Sequence, residues 1–146
     1  MKTELERIAP MEIEQRSFEM ITAELPHPVD DALAPIIKRV IATEGQTVNI
    51  DYDTGTVYID GEALNETQFG IENGITFHPY DGYEALVFPQ TVPKGCVFVL
   101  GDNRTVSRDS RYAEIGMIDT RHIMGEAVFT LYPFDRFGFV KTNENN

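Results

Sequence analysis

The chain has 146 residues, of which 42% are hydrophobic and 25% are charged, with 12 basic against 24 acidic side chains. This length fits one domain, and the apolar fraction excludes wholesale disorder. The net charge of -12 argues against nucleic acid or an anionic membrane as a partner held by charge, because both would repel the protein. No apolar run approaches the ~18 residues of a membrane span, and the single cysteine, Cys96, cannot form an intramolecular disulfide.

The first half of the chain predicts an arm followed by strands. Residues 1–17 are charge-rich and indicate a partly disordered arm. The run IIKRVIA, at residues 36–42, is β-branched and apolar around one basic pair, which predicts a strand. Alternating runs at residues 47–52 and 56–60 flank an Asp-Thr-Gly turn, and this pattern predicts a β-hairpin.

The second half mixes irregular and apolar segments. Residues 65–92 are rich in turn-forming residues and indicate a small irregular excursion from the main sheet. The apolar run CVFVL at residues 96–100 predicts a buried strand, and the next eleven residues, 101–111, form a polar loop. Closing strands are predicted within residues 116–118 and 124–134, ahead of a disordered tail at 141–146.

Many short strands and little helix predict a mainly β domain over residues 18–140, built as a sandwich or barrel. Three phenylalanines near the end, Phe134, Phe137 and Phe139, are expected in its core. An exposed apolar rim is the alternative for these rings.

Lys38 is the first residue with catalytic potential. Side chains alternate along a strand, so Lys38 shares a face with Ile36 and Val40, while Arg39 faces the other way. An apolar surrounding lowers the pKa of a lysine and makes its amine a general base. The competing interpretation is an edge-strand lysine whose stem reaches out to water.

The polar loop after the buried strand carries charges of both signs. They are Asp102, Arg104, Arg108, Asp109 and Arg111. One interpretation is a solvated loop; the other is a rigid loop whose aspartates and arginines cross-pair in partly buried ion pairs. Two of the three serines of the chain, Ser107 and Ser110, lie here, so a hydroxyl could be oriented toward a nearby amine.

The remaining candidates are weak. The three histidines, His27, His78 and His122, are scattered and have no cysteine at metal-ligand spacing, so we expect no metal and no cofactor. Cys96 lies in an apolar run and is expected to act as a buried hydrophobe.

Several separate motifs follow one another in an order that is itself informative. They are IKRVIATEGQ from Ile37, VYIDG from Val57, VPKG from Val92, the loop GDNRTVSRDSR from Gly101, and GEAVFTLYPFDRFG from Gly125. Together these motifs resemble bacterial type I signal peptidases, and the short excursion resembles the compact form found in Gram-positive bacteria.

The resemblance implies a membrane-anchored serine endopeptidase that removes signal peptides from exported preproteins, with a Ser/Lys dyad on coiled antiparallel β-sheets. Lys38 would be the general base, and Ser107 would orient its amine. The supporting residues by this resemblance are Arg39, Asp102, Asn103, Arg104, Asp109, Ser110 and Arg111. No cofactor and no nucleic acid are implied.

The nucleophile of that family lies in a Ser-Met-x-Pro-Thr motif after a membrane span, and neither occurs in this sequence. Ser17 is the one serine ahead of Lys38, and it lacks the proline and threonine, so it is a poor candidate. The arm at residues 1–17 would stand in place of the nucleophile segment. We therefore expect this chain to be inactive by itself, with a naturally Ser-less module that binds substrates or partners at the membrane surface as the alternative.

The resemblance also implies a location. The full-length protein would sit in the plasma membrane with this domain on the extracytoplasmic face, in contact with the membrane surface and with the signal peptides of preproteins. This chain itself is expected to be soluble.

Overall fold

The computed structural model describes residues 18–21, 36–79, 82–131, 135 and 137–140. Within them lie eleven strands and two short 3-10 turns, at Glu66–Phe69 and Thr120–His122. The strands are β1 (Phe18–Ile21), β2 (Ile36–Thr43), β3 (Thr47–Asp51), β4 (Thr56–Ile59), β5 (Glu62–Ala63), β6 (Gln90–Thr91), β7 (Cys96–Leu100), β8 (Ile118–Asp119), β9 (Ile123–Glu126), β10 (Phe129–Thr130) and β11 (Gly138–Phe139).

The predicted hairpin forms between β3 and β4, which pair antiparallel from Val48 opposite Ile59 to Asp51 opposite Thr56. The Asp51 carboxylate accepts hydrogen bonds from two backbone N–H groups of the turn, and this local bonding replaces the ladder where the chain reverses. The prediction from alternating runs around an Asp-Thr-Gly turn is thus confirmed.

The strands form antiparallel sheets. A five-stranded sheet has the order β8-β7-β2-β1-β9, a four-stranded sheet has the order β5-β4-β3-β6, and β10 and β11 form a separate ribbon. Strands β2 and β7 pair from Arg39 opposite Leu100, with a bulge between Val40 and Ala42. The predicted mainly β fold with antiparallel sheets is confirmed.

Two apolar cores lie on opposite faces of the β2–β7 pair. The larger core contains Ile41, Phe98 and Leu100 and continues into the four-stranded sheet. Val40 and Val99 belong to the smaller core. Because β7 alternates between the two cores, it is buried on both sides, which explains why CVFVL is apolar at every position.

The prediction that Phe137 and Phe139 lie in the core is wrong. Both belong to the β10–β11 ribbon and its approach, where Phe137 is 61% and Phe139 is 84% exposed. Their rings pack edge to face against Phe129 at centroid distances of 5.1 Å, so the rings contact one another rather than a core. Phe134 lies outside the described residues.

Candidate active site

The site begins with Lys38 on β2. Its Nζ donates a hydrogen bond to Oγ of Ser107 at 2.7 Å, across 69 positions of sequence. The lysine is half-buried, and this burial is the main cause that lowers its pKa from 10.5. The nearby Asp109 carboxylate opposes this change, and the Arg111 guanidinium adds to it. Lys38 is thus held against Ser107 and does not extend freely into water.

Gly101 makes the contact between Lys38 and Ser107 possible. A Cβ atom at this position would lie 2.0 Å from Oγ of Ser107, 2.4 Å from its Cβ and 3.3 Å from Nζ of Lys38. The backbone of Gly101 therefore covers the serine hydroxyl, and only glycine leaves room for it. Ser107 is 8% exposed.

Arg39, the neighbour of Lys38, holds the start of the loop. Its Nε and Nη2 donate to the two carboxylate oxygens of Asp102 at 2.8 and 2.9 Å, a bidentate pair. The buried guanidinium also lies 4.4 Å from the centroid of the Phe69 ring. Arg39 thereby links β2, the loop and the excursion.

Asp109 and Arg111 form the buried centre of the loop. The Arg111 Nε donates to Asp109 at 2.8 Å, and its other nitrogens donate to the backbone carbonyls of Phe77, Arg104 and Ser107 at 3.1, 2.8 and 3.2 Å. The second oxygen of Asp109 accepts from the backbone N–H of Gly101 at 3.0 Å. One ion pair therefore ties together both ends of the loop, and the interpretation as a solvated loop is wrong for these residues.

Ser110 and Asn103 fix the path of the backbone. The hydroxyl of Ser110 accepts from the N–H of Val99 at 3.0 Å, and its own N–H donates to the Val99 carbonyl at 3.1 Å, so the returning loop is bonded to β7. The Asn103 carbonyl accepts from the N–H of Ser107 at 3.0 Å, which closes the turn that presents the serine.

Glu66 and Thr76 also belong to the site, although the sequence did not predict them. Glu66, in the first 3-10 turn, forms a fully buried ion pair with Arg104, which also donates to Oγ1 of Thr76. Burial raises the pKa of Glu66, while Arg104 opposes that change. No local pattern in the sequence links Glu66 to Arg104, because the two segments meet only through the fold.

The pairing within the loop differs in part from the expectation. Asp109 and Arg111 pair with each other, as cross-pairing within the loop predicts. The other two residues expected to pair within the loop have partners outside it. Asp102 pairs with Arg39 on β2, and Arg104 pairs with Glu66 in the excursion. Ser17 lies outside the described residues.

The weaker candidates stay apart from this site. His122, in the second 3-10 turn, is exposed. His78 is also exposed, with its Nδ1 3.0 Å from the Pro79 carbonyl oxygen. His27 lies outside the described residues. Cys96 is partly buried, which raises its thiol pKa. Over the described ranges no histidine, cysteine and carboxylate side chains cluster in a way that could hold a metal, and no helix there is long and apolar enough to cross a membrane.

Comparison with known proteins identifies the family of this chain. The family model for signal peptidase, peptidase S26, matches residues 5–132. The chain belongs to the signal peptidase family. This is a family of serine endopeptidases.

Individual relatives give the extent of the likeness. Signal peptidase IB of Staphylococcus aureus is 35% identical over 118 residues, covering 75% of this chain and 59% of that protein. Probable signal peptidase I-1 of Synechocystis is 40% identical over 102 residues, covering 70% of this chain and 45% of that protein. The chain thus spans about half the length of the curated relatives it matches. The crystal structure of a signal peptidase I from Enterococcus faecalis is 30% identical, with a TM-score of 0.54, and the match covers 80% of this chain and 97% of that one.

Proposed function

We propose that this chain carries the lysine half of a Ser/Lys endopeptidase site that removes signal peptides from exported preproteins, with Lys38 as the general base. The observation that carries the proposal is the 2.7 Å hydrogen bond from Lys38 to Ser107 in a setting that lowers the lysine pKa. A neutral amine has a lone pair, which accepts the proton of an attacking serine hydroxyl and passes it to the leaving amine.

Ser107 orients the amine in this proposal. Ser107 is almost fully buried and the Gly101 backbone lies against its hydroxyl, so this serine is poorly placed to attack a scissile carbonyl. By accepting one N–H of the amine, Ser107 directs the lone pair of Lys38 away from the loop. The residues that support this arrangement are Arg39, Asp102, Asn103, Arg104, Asp109, Ser110 and Arg111.

The attacking hydroxyl belongs to a residue outside the described part of the chain. Within that part the serines are Ser107 and Ser110, and Ser110 is fully buried with its hydroxyl bonded to the Val99 N–H. Ser17 lacks the proline and threonine that accompany the nucleophile in this family. The proposal is therefore that this chain does not cleave peptides by itself.

An extended substrate has a place to pair beside Lys38. Residues Ile36–Lys38 pair with β1 on one side, whereas pairing with β7 on the other side begins only at Arg39. No strand among the described residues occupies that second side of Ile36–Lys38. A signal peptide that adds there as a strand lies next to the lysine amine. In the full-length protein this domain would work at the extracytoplasmic face of the plasma membrane.

Cleavage in the longest in-frame product of the coding DNA tests the proposal. We expect a Ser-Met-x-Pro-Thr motif after an apolar span upstream, and cleavage of a signal peptide that Lys38→Met abolishes. Lys94→Met is the matched control, since Lys94 lies in an exposed turn and should leave the rate unchanged.

Three results would contradict parts of this proposal. Cleavage at an undiminished rate in Lys38→Met would remove the general base. Cleavage by the 146-residue chain that Ser17→Ala abolishes would make Ser17 the nucleophile. Absence of any upstream serine motif would favour a Ser-less module that binds substrates or partners at the membrane surface.

A further inference from the structure

We propose that Glu66 is a positioning residue for the Lys38–Ser107 pair, acting through Arg104, and this inference rests on the proposed function of Lys38. Glu66 lies in the first 3-10 turn, in a segment of the chain that contributes no residue to the Lys38–Ser107 contact itself. It belongs to the signal-peptidase site only by way of the arginine that it binds.

The first step is the ion pair between Glu66 and Arg104. The side chains are 1% and 0% exposed, so neither charge is solvated. A buried guanidinium requires an opposite charge, and the carboxylate also restricts how its planar fork lies. Glu66 therefore determines where Arg104 directs its remaining N–H groups.

The second step runs from Arg104 to the active-site glycine. The Arg104 Nε donates to the Gly101 carbonyl at 3.1 Å, and the Gly101 N–H donates to Asp109 at 3.0 Å. The backbone N–H and the carbonyl of Gly101 are thus both hydrogen-bonded. Because Gly101 covers the Ser107 hydroxyl and lies close to Nζ of Lys38, its position defines the space in which these two groups meet.

The same 3-10 turn supports the loop by a second contact. Phe69, three residues after Glu66, packs its ring against the Arg39 guanidinium, which binds Asp102. The turn therefore acts on both Gly101 and its neighbour Asp102. One end of the turn thus holds Arg104 through Glu66, and the other end packs on Arg39 through Phe69.

Titration of the Lys38 amine in the full 146-residue chain tests the inference without requiring catalysis. The sequence has four lysines, so each ε-carbon signal of labelled protein is assigned by single Lys→Arg variants. In Glu66→Gln the loop loosens, water reaches the amine, and the pKa of Lys38 should rise by about half a unit or more. Glu114→Gln is the matched control, because Glu114 also pairs with an arginine, Arg108, but at the surface, and it should leave the Lys38 titration unchanged.

A second variant covers the case in which Glu66→Gln does not fold. Glu66→Leu combined with Arg104→Met removes both charges and keeps apolar volume, a type of exchange that buried ion pairs tolerate. In this variant the Gly101 carbonyl loses the Arg104 donor itself, so the pKa of Lys38 should rise here too.

The outcomes separate this inference from the proposed function. A Lys38 titration in these variants that matches the unaltered chain overturns the role of Glu66. A fall in the pKa also overturns it, since it would show that Arg104, left unpaired, acts on Lys38 by charge alone. If Lys38 titrates at 10.5 in the unaltered chain, the general-base proposal is overturned instead. The two results are distinct, because the role of Glu66 is tested by the change in the Lys38 pKa between variants, whereas the general-base role is tested by the Lys38 pKa of the unaltered chain.

Discussion

Replacing Gly101 with alanine adds one methyl group at the most crowded point of the site. The new Cβ would lie 2.4 Å from Cβ of Ser107, whereas carbon atoms pack at about 3.5 Å or more, so the two residues must separate by about 1 Å. Gly101 does not have a left-handed φ, so the cost is steric and not conformational. Overpacking of this kind costs about 1–3 kcal/mol in the free energy of unfolding.

Urea denaturation and titration of Lys38 measure the two consequences of Gly101→Ala. We expect lower stability together with a raised Lys38 pKa, because the loop moves outward and water reaches the amine. Gly125→Ala is the matched control. A Cβ added to this glycine of β9 meets no atom of the described part of the chain within 4 Å, and the glycine has no left-handed φ. Combining Gly101→Ala with Ser107→Gly removes the clash and should recover stability.

Two results would contradict this role of Gly101. If Gly101→Ala unfolds at the same urea concentration as Gly125→Ala and leaves the Lys38 titration unchanged, the close approach of Gly101 to Ser107 does not shape the site. If the combination with Ser107→Gly is as unstable as Gly101→Ala alone, the destabilisation does not come from the serine.

Three further predictions concern the charges and hydroxyls around the loop. Asp109→Asn should lower the free energy of unfolding, measured by urea denaturation, by about 3–5 kcal/mol, since it leaves the Arg111 charge buried without a partner. Asp119→Asn is the control: Asp119 has the same Asp-x-Arg spacing but lies in an exposed pair, so its substitution should change the free energy of unfolding little. Burial raises the pKa of Tyr52 to about 12, so Tyr52→Phe should remove the tyrosinate absorbance step near that pH and the loss of stability between pH 10 and 12. The substitution should cost no hydrogen bond, since the Tyr52 hydroxyl has no partner among the described residues. The free energy of unfolding of Lys38→Met, relative to that of the unaltered chain, should be highest near neutral pH and should fall as the pH rises toward 10.5, because the folded state binds the lysine proton less tightly than the unfolded state. A difference that does not vary with pH would contradict the lowered pKa.

Local pattern was sufficient where a segment is folded by its own residues. The hairpin of β3 and β4 and the buried strand β7 follow from alternation, turn residues and apolar runs. The same reasoning failed for Phe137 and Phe139, since an apolar ring in a strand is buried only if another element covers it. Among the described residues, the aromatic neighbour of these two rings in the two-stranded ribbon is Phe129.

The placement of Lys38 shows the limit in the site itself. Alternation put Lys38 on the same face as Val40, and the resemblance to signal peptidases put Ser107 beside it, but neither shows how the contact is held. The contact is possible because Gly101 has no side chain where the Ser107 hydroxyl lies. In the sequence of a polar loop, a glycine that allows such a close approach cannot be distinguished from a glycine that forms a turn.

The class of the fold, most of the strands and, through the order of the motifs, the family follow from the amino-acid sequence alone. The partners of the buried charges follow from the fold, which pairs Asp102 with Arg39 and Arg104 with Glu66. The physical reason is that strand formation depends on neighbours in sequence, whereas a buried arginine needs whichever carboxylate the fold brings within reach. For Arg104 that carboxylate comes from an irregular segment with no pattern of its own.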